Sequence, residues 1–345
     1  MLKRGILLTL SLVVTFVSMS AAAAVSAEAP RLGVLRLRQD LRGLEIATLD
    51  TTGKKYRRVA VQNLPKGFGV LRSLAWSPDG SLLAYTGWRK GEHPAIFMTP
   101  ASGKGQPRAV PGTRGGDWPV FSPDGKSLAF ARYRVEGARK HGLPAFESTS
   151  VWIVDLRSGK RRQLTRWRND LFQYPSSFSP DGSTLLLERV DFQRSVEDEI
   201  VALRFDGRTS GLLVGRGEEP VYSPDGQKIV FAGWRERRVW SPGRSKWVYR
   251  TTSDLFTVDA DGSNRRRLTH TPVRAEMLGG WDPSSERIVY TQFQGSPFQR
   301  GSTGAVMEMN ADGTCPREIL AKPGVTLFSP VWQPGPSRGA GRIHC

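Results

Sequence analysis

The chain has 345 residues, with 50 lysines and arginines against 32 aspartates and glutamates, and only two cysteines. A hydrophobic share of 39% excludes wholesale disorder, and two cysteines exclude a disulfide-rich scaffold or a four-cysteine zinc site. The net charge of +18 calls for an anionic partner, and the compartment decides which anion is meant.

Residues 1–27 read as a secretory signal. Lys3 and Arg4 precede an apolar run from Ile6 to Met19, and small residues end in Val25-Ser26-Ala27. The run is shorter than the roughly 20 residues a membrane span needs, and no later segment is apolar enough to cross a bilayer. The expectation is cleavage near Ala27. That leaves a protein that is secreted, periplasmic or held in the cell envelope, with a charge of +16 and no transmembrane segment. Export directs that charge away from nucleic acid.

Three strand-like segments open the mature chain: Val34 to Leu37, Leu44 to Leu49 and Tyr56 to Val59. A repeat follows. Trp76-Ser77-Pro78-Asp79-Gly80, Phe121-Ser122-Pro123-Asp124-Gly125, Phe178-Ser179-Pro180-Asp181-Gly182 and Tyr222-Ser223-Pro224-Asp225-Gly226 each separate two apolar segments. Trp281-Asp282-Pro283 is a decayed copy, and Val331-Trp332-Gln333-Pro334 is a final partial one. Proline presets the turn, aspartate tolerates its next position, and glycine takes the left-handed conformation that completes a hairpin. A second series of turns alternates with the first, at Gly53, Gly103, Gly159, Gly207, Gly262 and Gly313. Each unit therefore has four antiparallel strands, A to D.

The expected fold is all-β, a six-bladed β-propeller spanning 28–336 with a tail at 337–345. The ring closes when the C-terminal strand A at Val331-Trp332 joins the N-terminal B, C and D strands, which removes the open edge. The Ser-Pro-Asp-Gly hairpins, with Arg267-Leu268-Thr269 and Gln163-Leu164-Thr165, resemble the WD40-like repeats of the TolB-like propeller family over about 33–334. That resemblance implies an exported propeller that binds other proteins of the envelope.

Spacing locates the variable face. From each C–D glycine to the next A–B proline there are 17 to 25 residues; from each A–B proline to the next C–D glycine there are 25 to 38. The insertions thus fall between strands B and C, chiefly in the units starting at Phe121 and Tyr222. The B–C and D–A loops share one face, opposite the short turns. Candidate ligand-binding residues on that face are Arg132, Arg134, Arg166, Trp167, Arg168, Trp234, Arg235, Arg237, Arg238, Trp240, Arg244 and Trp247. Arginine pairs planar anions and stacks on rings, and tryptophan offers a face to stack on. An envelope or extracellular protein, an acidic glycan or a phosphate polymer would suit them. The alternative use of the same residues is capping of gaps between blades.

No catalytic residue, cofactor or metal is expected. His93, His141, His270 and His344 have no ligand spacing, and Asp259-Ala260-Asp261-Gly262 lacks the glutamate that would complete a calcium loop. Asp79, Asp124, Asp181 and Asp225 recur once per unit as turn formers. The protein is expected to be a monomer without enzymatic activity. The alternative is a glycan lyase or hydrolase with a site in the central funnel. Cys315 and Cys345 can reach one another, and a disulfide between them suits an oxidising compartment.

Overall fold

The computed structural model describes residues 31–37, 43–63, 73–87, 93–135, 146–193, 198–205, 209–241, 246–271, 274–294, 303–321, 325–335 and 341–345, with the backbone alone at 63, 135, 146–147, 209–212, 235–241, 246–251 and 294. The expected signal at 1–27, and Arg244, lie outside the described residues.

The described chain is all strand, turn and loop. Strands β1 (Arg31–Leu37), β2 (Gly43–Asp50) and β3 (Arg57–Asn63) come first. Four four-stranded sheets follow in chain order. The first holds β4 (Leu74–Trp76), β5 (Leu82–Gly87), β6 (Ala95–Pro100) and β7 (Arg108–Ala109). The second holds β8 (Gly116–Phe121), β9 (Ser127–Val135), β10 (Phe146–Asp155) and β11 (Arg161–Gln163). The third holds β12 (Leu171–Phe178), β13 (Thr184–Asp191), β14 (Asp198–Arg204) and β15 (Thr209–Gly215). The fourth holds β16 (Glu218–Tyr222), β17 (Lys228–Ser241), β18 (Lys246–Asp259) and β19 (Arg266–Arg267). The remaining strands are β20 (Arg274–Trp281), β21 (Arg287–Gln294), β22 (Thr303–Asn310), β23 (Arg317–Leu320) and β24 (Thr326–Trp332).

These last five combine with β1, β2 and β3 in one eight-stranded sheet. It consists of two antiparallel runs, β20-β21-β22-β23 and β24-β1-β2-β3, joined by a parallel pairing of Gly304 with Thr326. The late strand β24 thus pairs with the early strand β1, Leu32 opposite Trp332 and Leu37 opposite Thr326.

The Ser-Pro-Asp-Gly turns fold as their chemistry dictates. The Ser77 amide donates to the Leu82 carbonyl at 3.0 Å, and the Gly80 amide donates to Ser77 O at 2.8 Å with Gly80 at φ 68°. Asp79 accepts from the Ser77 hydroxyl at 2.5 Å and the Ser81 amide at 3.1 Å. The same bonds recur around Asp124, Asp181 and Asp225. In the decayed copy Ser285 takes the glycine position at φ 61°, and Asp282 accepts the Arg287 amide. Hydrogen bonds from Ser179 and from Ser183 hold the Asp181 carboxyl down to about 2, which fits a turn former.

Apolar side chains on both faces of the sheets pack in the junctions between neighbours. Val110 and Ile96 meet Phe121 and Phe130; Ala129 and Val151 meet Phe178 and Leu185; Leu186 and Ile200 meet Ile229 and Phe231. Val230 and Leu255 meet Leu278 and Trp281; Val289 and Val306 meet Leu32 and Val34; Leu35 and Ile46 meet Trp76 and Tyr85. The contacts return to their starting point, so the sheets form a ring. Each buried Leu, Ile or Phe contributes about 1.5–3 kcal/mol. The indoles of Trp76 and Trp281 also donate across junctions, to Val331 O at 3.0 Å and Val221 O at 3.1 Å.

Candidate functional site on the long-loop face

Alternation of strand direction puts the Ser-Pro-Asp-Gly turns and the second series of turns at one end of every sheet, and the remaining connections at the other. That second end is the long-loop face. Its largest described feature is a ribbon rather than a loop. β17 and β18 pair without interruption from Lys228 opposite Asp259 to Ser241 opposite Lys246. Along the outer part Arg235 lies opposite Thr252, Arg237 opposite Arg250, Arg238 opposite Tyr249 and Trp240 opposite Trp247. The insert at 136–145 lies outside the described residues.

Sequence-expected residues divide between packing and surface. Arg132 stands 5.5 Å over the Trp152 ring, with Arg161 at the same distance. Trp152 is thus capped by two guanidinium groups, and burial together with Arg161 lowers the Arg132 pKa. Trp234 packs against the cluster containing Ala275, Met277 and Phe293. Both residues serve the fold. Arg134 and Arg166 are exposed, and Trp167 is half-buried. Arg168 reaches across the face to Asp191 at 3.1 Å.

What the face does assemble is an aromatic strip. Trp118 on β8 lies 5.0 Å from Tyr174 on β12, and Tyr133 on β9 is 6.5 Å from the same ring. Phe172 is 6.5 Å from Tyr174 and meets Phe192, just past β13, edge to face at 5.7 Å. The strip runs outward from half-buried Trp118 to Phe192, which is 55% exposed beside the Arg168–Asp191 pair.

A buried carboxyl lies under its inner end. Asp117 accepts from the Thr86 hydroxyl at 2.6 Å, the Trp118 amide at 2.7 Å and the Tyr133 hydroxyl at 3.1 Å. Burial raises its pKa to about 6, and burial with the neighbouring Asp117 raises the Tyr133 phenol. A bulge in β8 sets this geometry: pairing with β9 shifts between Asp117 and Val120, and Trp118 sits at φ 58°.

The other acids beneath this face are engaged in bonds between sheets and, for Asp254 with Arg267 and Glu276 with Gln292, within one sheet. Glu188 accepts the Glu219 amide at 3.0 Å, and Glu219, at φ 53° on an equivalent bulge, accepts the Leu278 amide at 2.9 Å. Glu276 accepts from Thr269, and from Gln292 at 3.1 Å; Asp254 pairs with Arg267 at 2.7 Å. Among the described residues, no three His, Cys, Asp or Glu side chains are grouped to hold a metal.

Sequence inspection missed the strip. The signal was present in the repeat: Trp118, Glu219 and Ser329 each precede a proline four positions before the turn proline, all at positive φ, and the residue there differs in each of these copies.

No protein-family model matches the chain. An uncharacterised protein of Agrobacterium fabrum is 26% identical over 230 residues, covering 63% of this chain and 68% of its own. TolB from Acinetobacter baumannii superposes with a TM-score of 0.64 at 20% identity, over 89% of this chain and 67% of its own. A structure assigned to TolB from Agrobacterium tumefaciens gives 0.58 at 20% identity, over 90% and 100%. The fold is that of the TolB-like β-propellers. Among the described residues no helix is long and apolar enough to cross a membrane.

Proposed function

We propose that the chain is an exported, non-catalytic, six-bladed propeller that binds a protein of the cell envelope or extracellular medium through its long-loop face. The blade count follows from treating the two runs of the eight-stranded sheet as separate blades. Each repeats the A–D order, and their junction is packed by Val289, Val306, Leu32 and Val34 like the other junctions. The observation that carries the binding reading is the aromatic strip from Trp118 to Phe192, whose outer end lies beside the Arg168–Asp191 pair. Aromatic rings and arginine dominate protein-binding hot spots because they bury large area with few rotamers lost. Glu188, Glu219, Asp254 and Glu276 are each engaged in hydrogen bonds or ion pairs within and between the sheets, which supports binding over chemistry.

A photo-crosslinking residue placed at Phe192 in exporting cells should give a discrete protein adduct, and Phe192→Ser should abolish capture of that protein while leaving thermal unfolding unchanged. Adducts formed only from a probe at Ala260, on the opposite face, would refute the assignment. The basic ribbon is tested separately. Charge reversal at Arg235, Arg237 and Arg238 should weaken binding to heparin or polyglutamate, and equal binding would remove the acidic-polymer branch.

A further inference from the structure

The opposite face holds a cavity of about 470 Å³ between the turns of β16–β19 and those of β20–β23. This lies within the range of about 300–1,000 Å³ typical of small-ligand sites. Asp225 comes from the β16–β17 turn and Glu286 from the β20–β21 turn, Arg266 from β19 and Arg342 from the C-terminal segment; Lys228 and Asp312 complete the charged lining, beside Trp281 and Asn264.

Among the described residues the two acids have no salt-bridge partner. Asp225 accepts only the Ser223 hydroxyl and the Gln227 amide of its own turn, and the nearby Lys228 is taken by Asp259 at 2.8 Å. Glu286 is exposed, and its carboxylate is without a hydrogen bond or ion pair among the described residues. The arginines are anchored but retain donors. Arg266 uses one nitrogen on Asp312 O at 3.2 Å, and Arg342 uses one on the Asp312 carboxylate, out of five N–H donors each.

Arg342 belongs to no strand of the ring. Its position is set by the segment 341–345, which is fastened at four points. The Gly341 carbonyl accepts from Arg287 Nε at 2.7 Å. The Ile343 amide donates to Asn310 Oδ1 at 2.7 Å, and its carbonyl accepts from Asn310 Nδ2 at 3.0 Å. Cys345 is bonded to Cys315, with Cα atoms 5.3 Å apart. Ile343 is buried between these ties. An added segment held this firmly places one guanidinium in the lining of a cavity that also contains Asp225 and Glu286.

We propose that this cavity is a second binding site, for a zwitterionic ligand of amino-acid or short-peptide size. The ligand's ammonium lies on Asp225 and Glu286, and its carboxylate on Arg266 and Arg342. The proposal stands independently of the long-loop face.

The test is calorimetric titration of the oxidised full chain with free amino acids and with di- and tripeptides, each also presented acetylated at the amine and amidated at the carboxyl. The expected result is millimolar or tighter binding of unblocked ligands, weakened about tenfold or more by blocking either end, as loss of a charge-assisted hydrogen bond requires. Arg342→Ala and Glu286→Gln change exposed side chains and should each weaken binding by a similar factor, as should Cys345→Ser, which frees the segment. No binding by any unblocked ligand would overturn the proposal. So would binding indifferent to end-blocking, binding of spermidine or citrate alone, or affinity unchanged in all three variants.

Discussion

Thr149 and Gln173 tie neighbouring sheets together in both directions: the Thr149 hydroxyl donates to the Gln173 carbonyl at 2.8 Å and accepts the Gln173 amide at 2.5 Å. Ser253 and Glu276 repeat the arrangement two junctions on, at 2.5 and 2.6 Å. One hydroxyl thereby satisfies both backbone groups of an inner-strand residue that faces no ladder partner on that side. Thr149→Val keeps the shape and strands both groups in a fully buried site. It should cost about 2 kcal/mol in urea unfolding, with Thr149→Ser close to wild type. Equal stability of the valine variant would mean that the tie contributes nothing.

Asp117 makes stability fall as pH rises. Its carboxyl titrates at 3.8 in the unfolded chain and at about 6 when buried in the fold. Below about pH 3 both states hold the proton. Between about pH 4 and 6 the unfolded chain releases it while the fold retains it, so stability is lost; above the folded pKa the loss is constant at about 3 kcal/mol. Asp117→Asn removes this titration. The unfolding free energy of wild type minus that of the variant should therefore drop by about 3 kcal/mol from pH 3 to pH 7. A difference independent of pH would contradict the assignment.

The Cys315–Cys345 bond closes a span of 30 residues. A loop of that size gives about 3–4 kcal/mol in the chain-entropy picture. Cys345→Ser should lower the unfolding free energy by that order. Alkylation of the unreduced protein followed by mass spectrometry should find no modified cysteine; two alkylated thiols would show that the bond does not form.

Gly279 marks where the inner strands β20 and β24 crowd together. A Cβ on it would stand 2.0 Å from the Pro330 carbonyl and 2.8 Å from that of Val289, both backbone atoms. Gly279→Ala must move a strand, and about 3 kcal/mol of stability should go with it. A wild-type melting temperature for this variant would show that the strands have room to separate.

The turns were legible because their chemistry is local. Ser77, Pro78, Asp79 and Gly80 bond chiefly to one another and to Leu82, so six consecutive residues contain nearly the whole cause of the hairpin. The pairing of β24 with β1 was legible for a different reason: a repeat that begins at strand B and ends at strand A has one way to complete itself. The aromatic strip was hidden, because Trp118, Tyr133, Tyr174 and Phe192 come from three strands and a turn and meet only after a bulge re-aims the chain. Arginine was misleading in a physical sense. Arg132 looked like a ligand contact but covers Trp152, since a guanidinium stacks as readily on the protein's own ring as on a partner's.

The pairing of β1 with β24 also sets a timetable. The sheet that holds the first strands of the ring lacks its inner member until residues 326–332 have been made and delivered. Contacts between Leu32 and Trp332 close a loop of nearly the whole chain, and such distant pairings form slowly. Until then β1 keeps an unpaired edge, open to any other extended segment. The interval between emergence of Arg31 and arrival of Trp332 is therefore the period of greatest exposure to misassembly.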